Sequence, residues 1–435
     1  MKYYIIAGEA SGDLHGSNLI RELKKMDPAT EIRCWGGDLM QQAGGDLVKH
    51  YKELAFMGFV EVLTNLRTIF RNLDFCKQDI LAYQPDALIL IDYPGFNLRI
   101  AKWAHQQRLR TTLPPASGFL PPASEIRPPA SGALPSRGLR IIYYISPQVW
   151  AWKENRVRQI KECVDKMRVI LPFEKEFYQK WNYEVEYVGH PLVEVIDLFR
   201  SDVASTPPAG LSTPVSASPA SLASPAPLAS PAPSHSPHHP TGHPPSPRPI
   251  IALLPGSRRQ EIIKKLPIML EVSRFFPDYQ FVVAQAPGLE EDFYKGLLSG
   301  YPNVSAARNQ TYALLVQAQA ACVTSGTATL ETALFGVPEV VCYKGSSVSY
   351  QIAKRLIKVK YISLVNLIMD KLVVKELIQD DLTPENLRQE LADLLNNPVR
   401  QQQLRKDYED LKALLSQGGH ASANAARSIA RFMQG

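Results

Sequence analysis

The pattern that most constrains the fold of this chain is a short apolar run followed by a turn of small residues and then by a helix. The run at residues 3–7 leads into a glycine-rich turn, and the runs at 87–91 and 250–254 also end in turns that contain glycine. Strands that alternate with helices favour parallel, doubly wound sheets whose ligands bind at the carboxyl ends of the strands. The sequence therefore predicts an α/β fold with Rossmann-like sheets.

The most informative turn lies within residues 320–338, which read as the end of a strand, a turn with capping hydroxyl groups and a helix over 329–335. The turn consists of Ser325, Gly326 and Thr327. A helix N-terminus offers backbone N–H groups and a partial positive charge, so this turn favours a phosphate or diphosphate. Glu331, one helical turn further on, is suited to accept hydrogen bonds from sugar hydroxyls. An ordinary capped helix is the alternative interpretation.

Two other strand ends carry similar features. The turn after residues 250–254 contains Gly256 and Ser257, and Arg258 follows, ready to clamp a diphosphate. The turn over residues 8–16 does not have the dinucleotide-binding spacing G-x-G-x-x-G. Asp92 lies at the end of the run at 87–91, where ligands of such sheets gather.

Low-complexity segments divide the chain. With 435 residues, two domains are expected. Pro/Ala/Ser-rich repeats at 109–138 and 201–249 have nothing to bury, and they predict two disordered insertions. The predicted organisation is a first domain at 1–200, a linker at 201–249, a second domain at 250–400 and helices at 401–435, for which packing against the first domain is one arrangement.

Composition excludes several classes of protein. A net charge of +6 over this length suits anionic ligands but is too small to indicate nucleic-acid binding. The five cysteines are scattered without a C-x-x-C pair, so neither a zinc site nor a disulfide framework is predicted, and a cytoplasmic location fits. The histidines of the second insertion are flanked by prolines that fix no coordination geometry, so no metal site is expected there.

No stretch is long enough to form a transmembrane helix, but residues 54–73 allow a membrane contact. Apolar residues dominate the first half of this stretch, and basic residues enter the second half. One interpretation is a helix buried against the sheet. The other is an interfacial segment that inserts four apolar side chains into lipid. These are Phe56, Met57, Phe59 and Val62.

Seven motifs of the chain are distinctive in combination. They are Gly8-Glu-Ala-Ser-Gly-Asp-Leu-His-Gly16, Ile91-Asp-Tyr-Pro-Gly-Phe-Asn97, Ser146-Pro-Gln-Val-Trp-Ala-Trp152, Val188-Gly-His-Pro-Leu192, Leu254-Pro-Gly-Ser-Arg258 with Glu261, Thr324-Ser-Gly-Thr-Ala-Thr-Leu-Glu331, and Tyr361-Ile-Ser-Leu-Val-Asn366. Together they resemble one family, that of the lipid-A-disaccharide synthases, which are inverting glycosyltransferases with two Rossmann-like domains facing across a cleft (GT-B). The resemblance spans nearly the whole chain outside the two insertions. Val365 departs from it, since proline is expected there.

The resemblance implies transfer of a diacylglucosamine from UDP-2,3-diacylglucosamine to the 6-hydroxyl of 2,3-diacylglucosamine 1-phosphate, which gives a β-1,6 disaccharide. It implies Asp92 as the base, with another acidic residue as the alternative, and Arg258 and the helix at Ser325 as the diphosphate site. It implies further substrate contacts from Glu9, Ser11, Gly12, Asp13, His15, Asn97, Gly256, Ser257, Glu261, Gly326, Thr327, Glu331, Tyr343 and Asn366. For His15, a structural role is an equal alternative.

The resemblance also implies a location on the cytoplasmic side of the inner membrane, because both substrates carry acyl chains. No cofactor and no metal are expected, since helix ends and arginine stabilise the leaving group. An oligomer is compatible with the sequence. Two other functions stay open at this point: another GT-B enzyme such as a UDP-N-acetylglucosamine 2-epimerase, and a non-catalytic protein that binds anionic lipid or nucleotide.

Overall fold

The computed structural model describes residues 1–54, 66–112, 138–205, 248–286, 288–346, 350 and 359–435. They form two compact units. The first unit comprises the described residues of Met1–Leu198, Gln351–Lys360 and Glu409–Gly435, and the second comprises those of Phe199–Tyr350 and Tyr361–Tyr408. The boundary therefore falls inside a helix that links the units, Pro191–Ser205.

The first unit is built on a parallel sheet of seven strands in the order β3-β2-β1-β4-β5-β6-β7. The strands are β1 Lys2–Ala7, β2 Glu31–Gly36, β3 Asp46–His50, β4 Ala87–Ile91, β5 Arg140–Tyr144, β6 Lys166–Val169 and β7 Glu186–Tyr187. Every residue of the central strand β4 is buried, as expected for a strand covered by helices on both faces. The order reverses between β1 and β4, so their carboxyl ends form a switch point.

Eight described helices surround or follow this sheet. They are α1 Ala10–Met26, α2 Asp38–Gln42, α3 Leu66–Tyr83, α4 Pro94–Thr112, α5 Val149–Trp152, α6 Arg156–Cys163, α7 Pro172–Gln179 and α8 Pro191–Ser205. Helices α4 and α8 extend past residues 109 and 201, so they include the first residues of both predicted insertions. The remaining parts of the insertions, 113–137 and 206–247, lie outside the described residues.

The second unit has a parallel sheet of six strands in the order β10-β9-β8-β11-β12-β13. The strands are β8 Ile250–Leu254, β9 Gln280–Gln285, β10 Val304–Arg308, β11 Ala318–Thr324, β12 Glu339–Tyr343 and β13 Lys375–Ile378. The order reverses between β8 and β11, which gives a second switch point. The predicted fold class, two doubly wound α/β units with parallel sheets, is confirmed.

The remaining described helices follow these strands. They are α9 Arg259–Ser273, α10 Glu291–Leu298, α11 Thr311–Gln317, α12 Thr327–Leu334, α13 Leu364–Met369, α14 Pro384–Asn396, α15 Pro398–Ser416 and α16 Ala421–Gln434. Helix α16 returns to the first unit, where Arg168 of β6 donates to the hydroxyl and the carbonyl of Ser428. The amide of Asn424 donates to the carbonyl of Val188, at 3.1 Å.

Candidate active site

The switch point of the first unit brings the turn after β1 against the turn after β4. Ala7 and Ile91 are paired at the ends of these strands, and the ring of Tyr93 lies over Gly8. A Cβ atom on Gly8 would lie 2.3 Å from that ring, so only glycine fits. The turns that carry Glu9 and Asp92 are therefore neighbours.

Asp92 is held by three backbone contacts. Its N–H donates to the carbonyl of Ile145 at 3.1 Å, and its own carbonyl accepts from the hydroxyl of Tyr143 at 2.7 Å and from the amide of Asn97 at 2.8 Å. Asp92, Tyr93 and Ile145 all have left-handed φ values, of 41°, 48° and 66°. Such strain outside glycine persists only where surrounding contacts enforce it, and it clusters at functional sites.

The carboxyl group of Asp92 is partly buried and has an unusual acidity. Its pKa is raised to about 7, chiefly by burial and secondly by the negative charge of Glu9. A carboxylate with a pKa near neutrality is suited to accept a proton in a reaction, because it is ionised at working pH and still basic.

Three predicted contact residues have structural roles in this unit. Asp13 is buried and caps α2, because its carboxylate accepts from the backbone N–H groups of Gly37, Leu39 and Met40. Asn97 is fully buried and donates only to backbone carbonyls among the hydrogen bonds of the described residues.

The third is Gly12, which is buried against Ala7, where an added Cβ would come within 3.0 Å of the methyl group. For Asp13, Asn97 and Gly12 the described contacts are structural ones, and a substrate contact from any of them stays a prediction. Ser11 and Glu9 are partly exposed beside them. Because Ser11 and Glu9 are partly exposed, they remain accessible to a ligand.

His15 is 5% exposed, and its Nδ1 atom has no hydrogen-bond partner among the described residues. Burial lowers its pKa to about 4, so the ring is neutral near pH 7. His190 is also buried, and burial lowers its pKa to about 3, with a further contribution from His15. Both roles of His15, substrate contact and structural residue, therefore stay open.

Glu174 is a buried residue that sequence reasoning missed. Its carboxylate accepts from the indole N–H of Trp150 at 3.2 Å and from the backbone N–H of Leu171 at 3.0 Å. It thereby holds the loop after β5, in which the hydroxyl of Ser146 bonds that of Tyr178 at 2.7 Å. The sequence feature that could have indicated this role is the position of Glu174 three residues after Leu171 at the start of a helix, which is the spacing of a capping box.

In the second unit, the turns after β8 and β11 lie side by side. Leu254 pairs with Val323, and an added Cβ on Gly256 would be 3.6 Å from the methyl group of Thr324. Gly256 has a φ of 114°, a conformation that side chains disfavour. The two turns that the sequence predicted to hold phosphate therefore meet at the switch point of the sheet.

Arg258 follows the turn after β8, at the start of α9. It is the N-cap residue of α9, it is exposed like Ser257, and its Nη1 lies 3.2 Å from Oε1 of Glu261. The other oxygen of Glu261 lies 3.8 Å from Nζ of Lys265, whose side chain is only 2% exposed. Glu261 thus contacts the cation that is predicted to bind the diphosphate.

The turn after β11 differs from the prediction in one respect. The N-cap of α12 is Gly326, with a φ of 151° and no side-chain cap, so the expected hydroxyl cap is wrong. The hydroxyl of Ser325 instead donates to the carbonyl of Ile362 at 2.8 Å and ties a second loop to this turn. Gly326 and Thr327 are exposed.

Glu331 lies further along α12. Its carboxylate accepts a hydrogen bond from the hydroxyl of Tyr312 at 3.0 Å, and burial raises its pKa. Tyr343, at the end of β12, is partly buried, and its pKa is raised by burial and then by Glu261. Both residues therefore border the same edge of the sheet as the two turns.

The side chain of Asn366 is hydrogen-bonded to neighbouring groups of the protein. It is fully buried, its amide donates to Val374 and Glu376, and its carbonyl accepts from the backbone N–H groups of Val373 and Val374. Glu376 also accepts from the N–H groups of Ile362 and Ser363. Asn366 with Glu376 thus fixes the loop beside Ser325, and a substrate contact from Asn366 stays a prediction.

Among the described residues, no group of three histidine, cysteine or acidic side chains is arranged to hold a metal ion. The four predicted lipid contacts, Phe56, Met57, Phe59 and Val62, lie outside the described residues. Within the part that is described, no helix is long and apolar enough to cross a membrane.

The fold defines the class of protein. A crystal structure of UDP-GlcNAc 2-epimerase from Neisseria meningitidis bound to UDP-GlcNAc matches with a TM-score of 0.59, at 12% identity over 100% of both chains. The glycotransferase of kitacinnamycin matches with a TM-score of 0.58, at 14% identity over 99% of both chains. Identities this low show the fold alone, which is that of the GT-B glycosyltransferases and related epimerases.

The sequence comparisons narrow the class to one family. A family model described as lipid-A-disaccharide synthetase matches residues 3–113, 132–211 and 238–431. The lipid-A-disaccharide synthase of Geobacter metallireducens is 35% identical over 95% of this chain and 93% of its own, and that of Syntrophus aciditrophicus is 34% identical over 98% and 96%. This chain belongs to the lipid-A-disaccharide synthetase family, as its motifs predicted. The gaps in the match fall inside the two Pro/Ala/Ser-rich segments.

Proposed function

We propose that this protein condenses UDP-2,3-diacylglucosamine with 2,3-diacylglucosamine 1-phosphate to form the β-1,6-linked lipid A disaccharide 1-phosphate and UDP. The observation that carries the proposal is the family match, which covers both switch points of the two sheets. The partly buried Asp92 at the first switch point and the two adjoining turns at the second supply the groups that such a transfer needs.

The donor binds at the second switch point in this proposal. Arg258 contacts the diphosphate as a charged fork, and the backbone of Gly256, Ser257 and the turn at Ser325, Gly326 and Thr327 donates hydrogen bonds to it. Glu331 accepts from the ribose hydroxyls, and Tyr343 borders the nucleotide. Positive charge and N–H groups at the departing diphosphate stabilise the transition state without a metal ion.

The acceptor reacts through its 6-hydroxyl. Asp92 takes the proton of this hydroxyl as the oxygen forms a bond to the anomeric carbon of the donor, and the bond from that carbon to the diphosphate breaks with its electron pair leaving on UDP. A single displacement inverts the anomeric carbon. Glu9 keeps the pKa of Asp92 high, which makes its carboxylate a stronger base.

The enzyme works at a membrane surface in this proposal, peripheral to the inner membrane. The described helix α3 presents Arg67, Phe70 and Arg71 to solvent, and Phe70 is 56% exposed. Residues three and four apart share one helix face, so Arg67 lies beside both the exposed ring of Phe70 and Arg71. This face directly follows the segment of the predicted lipid contacts, and it suits an anionic bilayer.

Vesicle sedimentation tests the membrane contact. The wild-type protein should bind phosphatidylglycerol vesicles more strongly than phosphatidylcholine vesicles. The double variant Arg67→Glu/Arg71→Glu should lose that preference. The variant Lys264→Glu/Lys406→Glu, which changes two exposed lysines elsewhere, should keep it. If both double variants keep the same preference for phosphatidylglycerol vesicles, the face of α3 is not the membrane contact.

A turnover assay tests the function. The purified protein is incubated with both diacylated substrates in mixed micelles, and the product is analysed by mass spectrometry and linkage analysis. We expect UDP and a β-1,6 disaccharide in equal amounts, and no reaction without the acceptor. Conversion of UDP-N-acetylglucosamine to its 2-epimer without acceptor would indicate an epimerase, and UDP binding without any turnover would indicate a binding protein.

A further inference from the structure

Lys265 is a buried lysine near the candidate donor site. It belongs to α9, and its side chain is 2% exposed, although lysine is almost never fully buried unless it is paired. Its ammonium group lies 3.8 Å from Oε2 of Glu261, which is beyond hydrogen-bond distance. Burial lowers the pKa of Lys265, and the carboxylate of Glu261 opposes that shift. A buried cation is thus placed beside a carboxylate without a close contact.

Glu261 faces two cations at once. Its Oε1 atom contacts Nη1 of Arg258 at 3.2 Å, and its Oε2 atom faces Lys265. The three residues lie on one side of the first two turns of α9, at positions where side chains meet. Two cations and one carboxylate give this cluster a net positive charge.

The carboxylate of Glu261 also touches the diphosphate turn. An added Cβ on Gly256 would lie 2.7 Å from Oε2 of Glu261. A negative charge this close to a bound diphosphate would repel it unless the charge is compensated. Arg258 compensates Glu261 in the unliganded protein, but the proposed function assigns Arg258 to the diphosphate.

We propose that Lys265 is a positioning residue that takes over Glu261 when the diphosphate binds Arg258. The inference rests on the proposed donor site. In the unliganded state, Glu261 holds Arg258 at the entrance of the turn. On binding, the guanidinium turns to the diphosphate, and the carboxylate closes the 3.8 Å gap to Lys265. Lys265 keeps the carboxylate from repelling the ligand while it does not contact the ligand itself.

The proposal predicts a specific pattern of UDP affinities, measured by isothermal titration calorimetry. Lys265→Met should weaken UDP binding about tenfold, because Glu261 is then left uncompensated beside the diphosphate. Glu261→Gln should bind UDP at least as tightly as wild type. The double variant Glu261→Gln/Lys265→Met should bind within about threefold of Glu261→Gln. Lys264→Met, which changes the exposed neighbour on the same helix, should bind like wild type.

Thermal unfolding of the same variants separates this role from a structural one. The double variant removes both charges together and leaves no uncompensated buried charge, so it should unfold no earlier than wild type. A Lys265→Met variant that binds UDP as wild type does would overturn the proposal. So would a double variant as weak as Lys265→Met.

If Lys265→Met does not fold, the UDP affinity of Glu261→Gln tests the proposal by itself. A tenfold loss of UDP affinity in Glu261→Gln would show that Glu261 contacts the ligand, and it would overturn the proposal. A wild-type protein that does not bind UDP at all would instead refute the proposed donor site, which is a distinguishable result.

Discussion

The acidity of Asp92 gives the most detailed prediction, and Glu9→Gln is the perturbation that tests it. The pKa of Asp92 is raised from 3.8 to about 7, first by burial and second by Glu9. Because Glu9 is the smaller cause, its removal should reverse less than half of the rise. We therefore expect a decrease of about 1 unit, which corresponds to about 1.4 kcal/mol of repulsion between the two carboxylates.

The assay is the pH dependence of kcat/KM for disaccharide formation. The base must be ionised, so activity is present above the pKa and falls about tenfold per pH unit below it. In the wild-type protein the decline should begin near pH 7, and in Glu9→Gln near pH 6. At pH 6 the variant should retain about half of its own plateau, against about a tenth for wild type.

The comparison uses each protein's own plateau, so it is insensitive to any contact that Glu9 makes with substrate. The control is Glu22→Gln, which removes a carboxylate from the same helix where it pairs with Lys25. It should leave the profile unchanged. A profile of Glu9→Gln that coincides with wild type, or that moves to higher pH, would refute the assignment of Asp92 as the base under the influence of Glu9.

Three further predictions concern stability and ligand contacts. Asp13→Ala should lower the free energy of unfolding by about 1–3 kcal/mol in a urea titration, because α2 loses its cap, and it should leave UDP affinity unchanged. Glu331→Gln should weaken binding of UDP about tenfold by calorimetry but not that of dideoxy-UDP, which lacks the ribose hydroxyls; equal losses would exclude a ribose contact. The raised pKa of Asp92 means that its ionisation destabilises the fold, so stability is lost as pH rises from about 4 through about 7. The free energy of unfolding of Asp92→Asn should therefore exceed that of wild type by about 2–4 kcal/mol at pH 8, and by less at pH 4.

The central strands could be predicted from the sequence because they are covered on both faces. Residues 87–91 form a continuous apolar run, and all five are buried in β4. The edge strands β3, β10 and β13 were missed. They mix polar and apolar residues, and most of their positions are partly or fully exposed, so no run or alternation marks them.

The positions of the ligand turns could also be predicted, but the roles of single side chains within them could not. Asp13 stands in a glycine-rich turn that reads as a ligand loop, yet its partners are N–H groups more than 20 residues away. Asn366 likewise bonds a loop brought to it by the next strand. A sequence shows that a side chain can accept or donate hydrogen bonds, whereas only the fold shows which groups reach it first.

The role of Lys265 could not be predicted either, because its sequence context suggests an ordinary surface residue. A lysine four residues after a glutamate on a helix is usually an exposed ion pair. The close approach of Gly256 to Glu261 and the burial of Lys265 are properties of the packed structure. The strained backbone at Asp92 and Ile145 is a similar case, because it depends on contacts between two strand ends.

The proposed mechanism depends most directly on Asp92. The decisive measurement is the turnover of Asp92→Asn with both diacylated substrates at pH 8, with UDP affinity measured on the same preparation. Loss of a general base costs about a hundredfold or more in rate. We predict that kcat falls at least a hundredfold while the Kd for UDP stays within about twofold of wild type. An Asp92→Asn protein that forms the β-1,6 disaccharide at more than about a tenth of the wild-type rate would contradict the account.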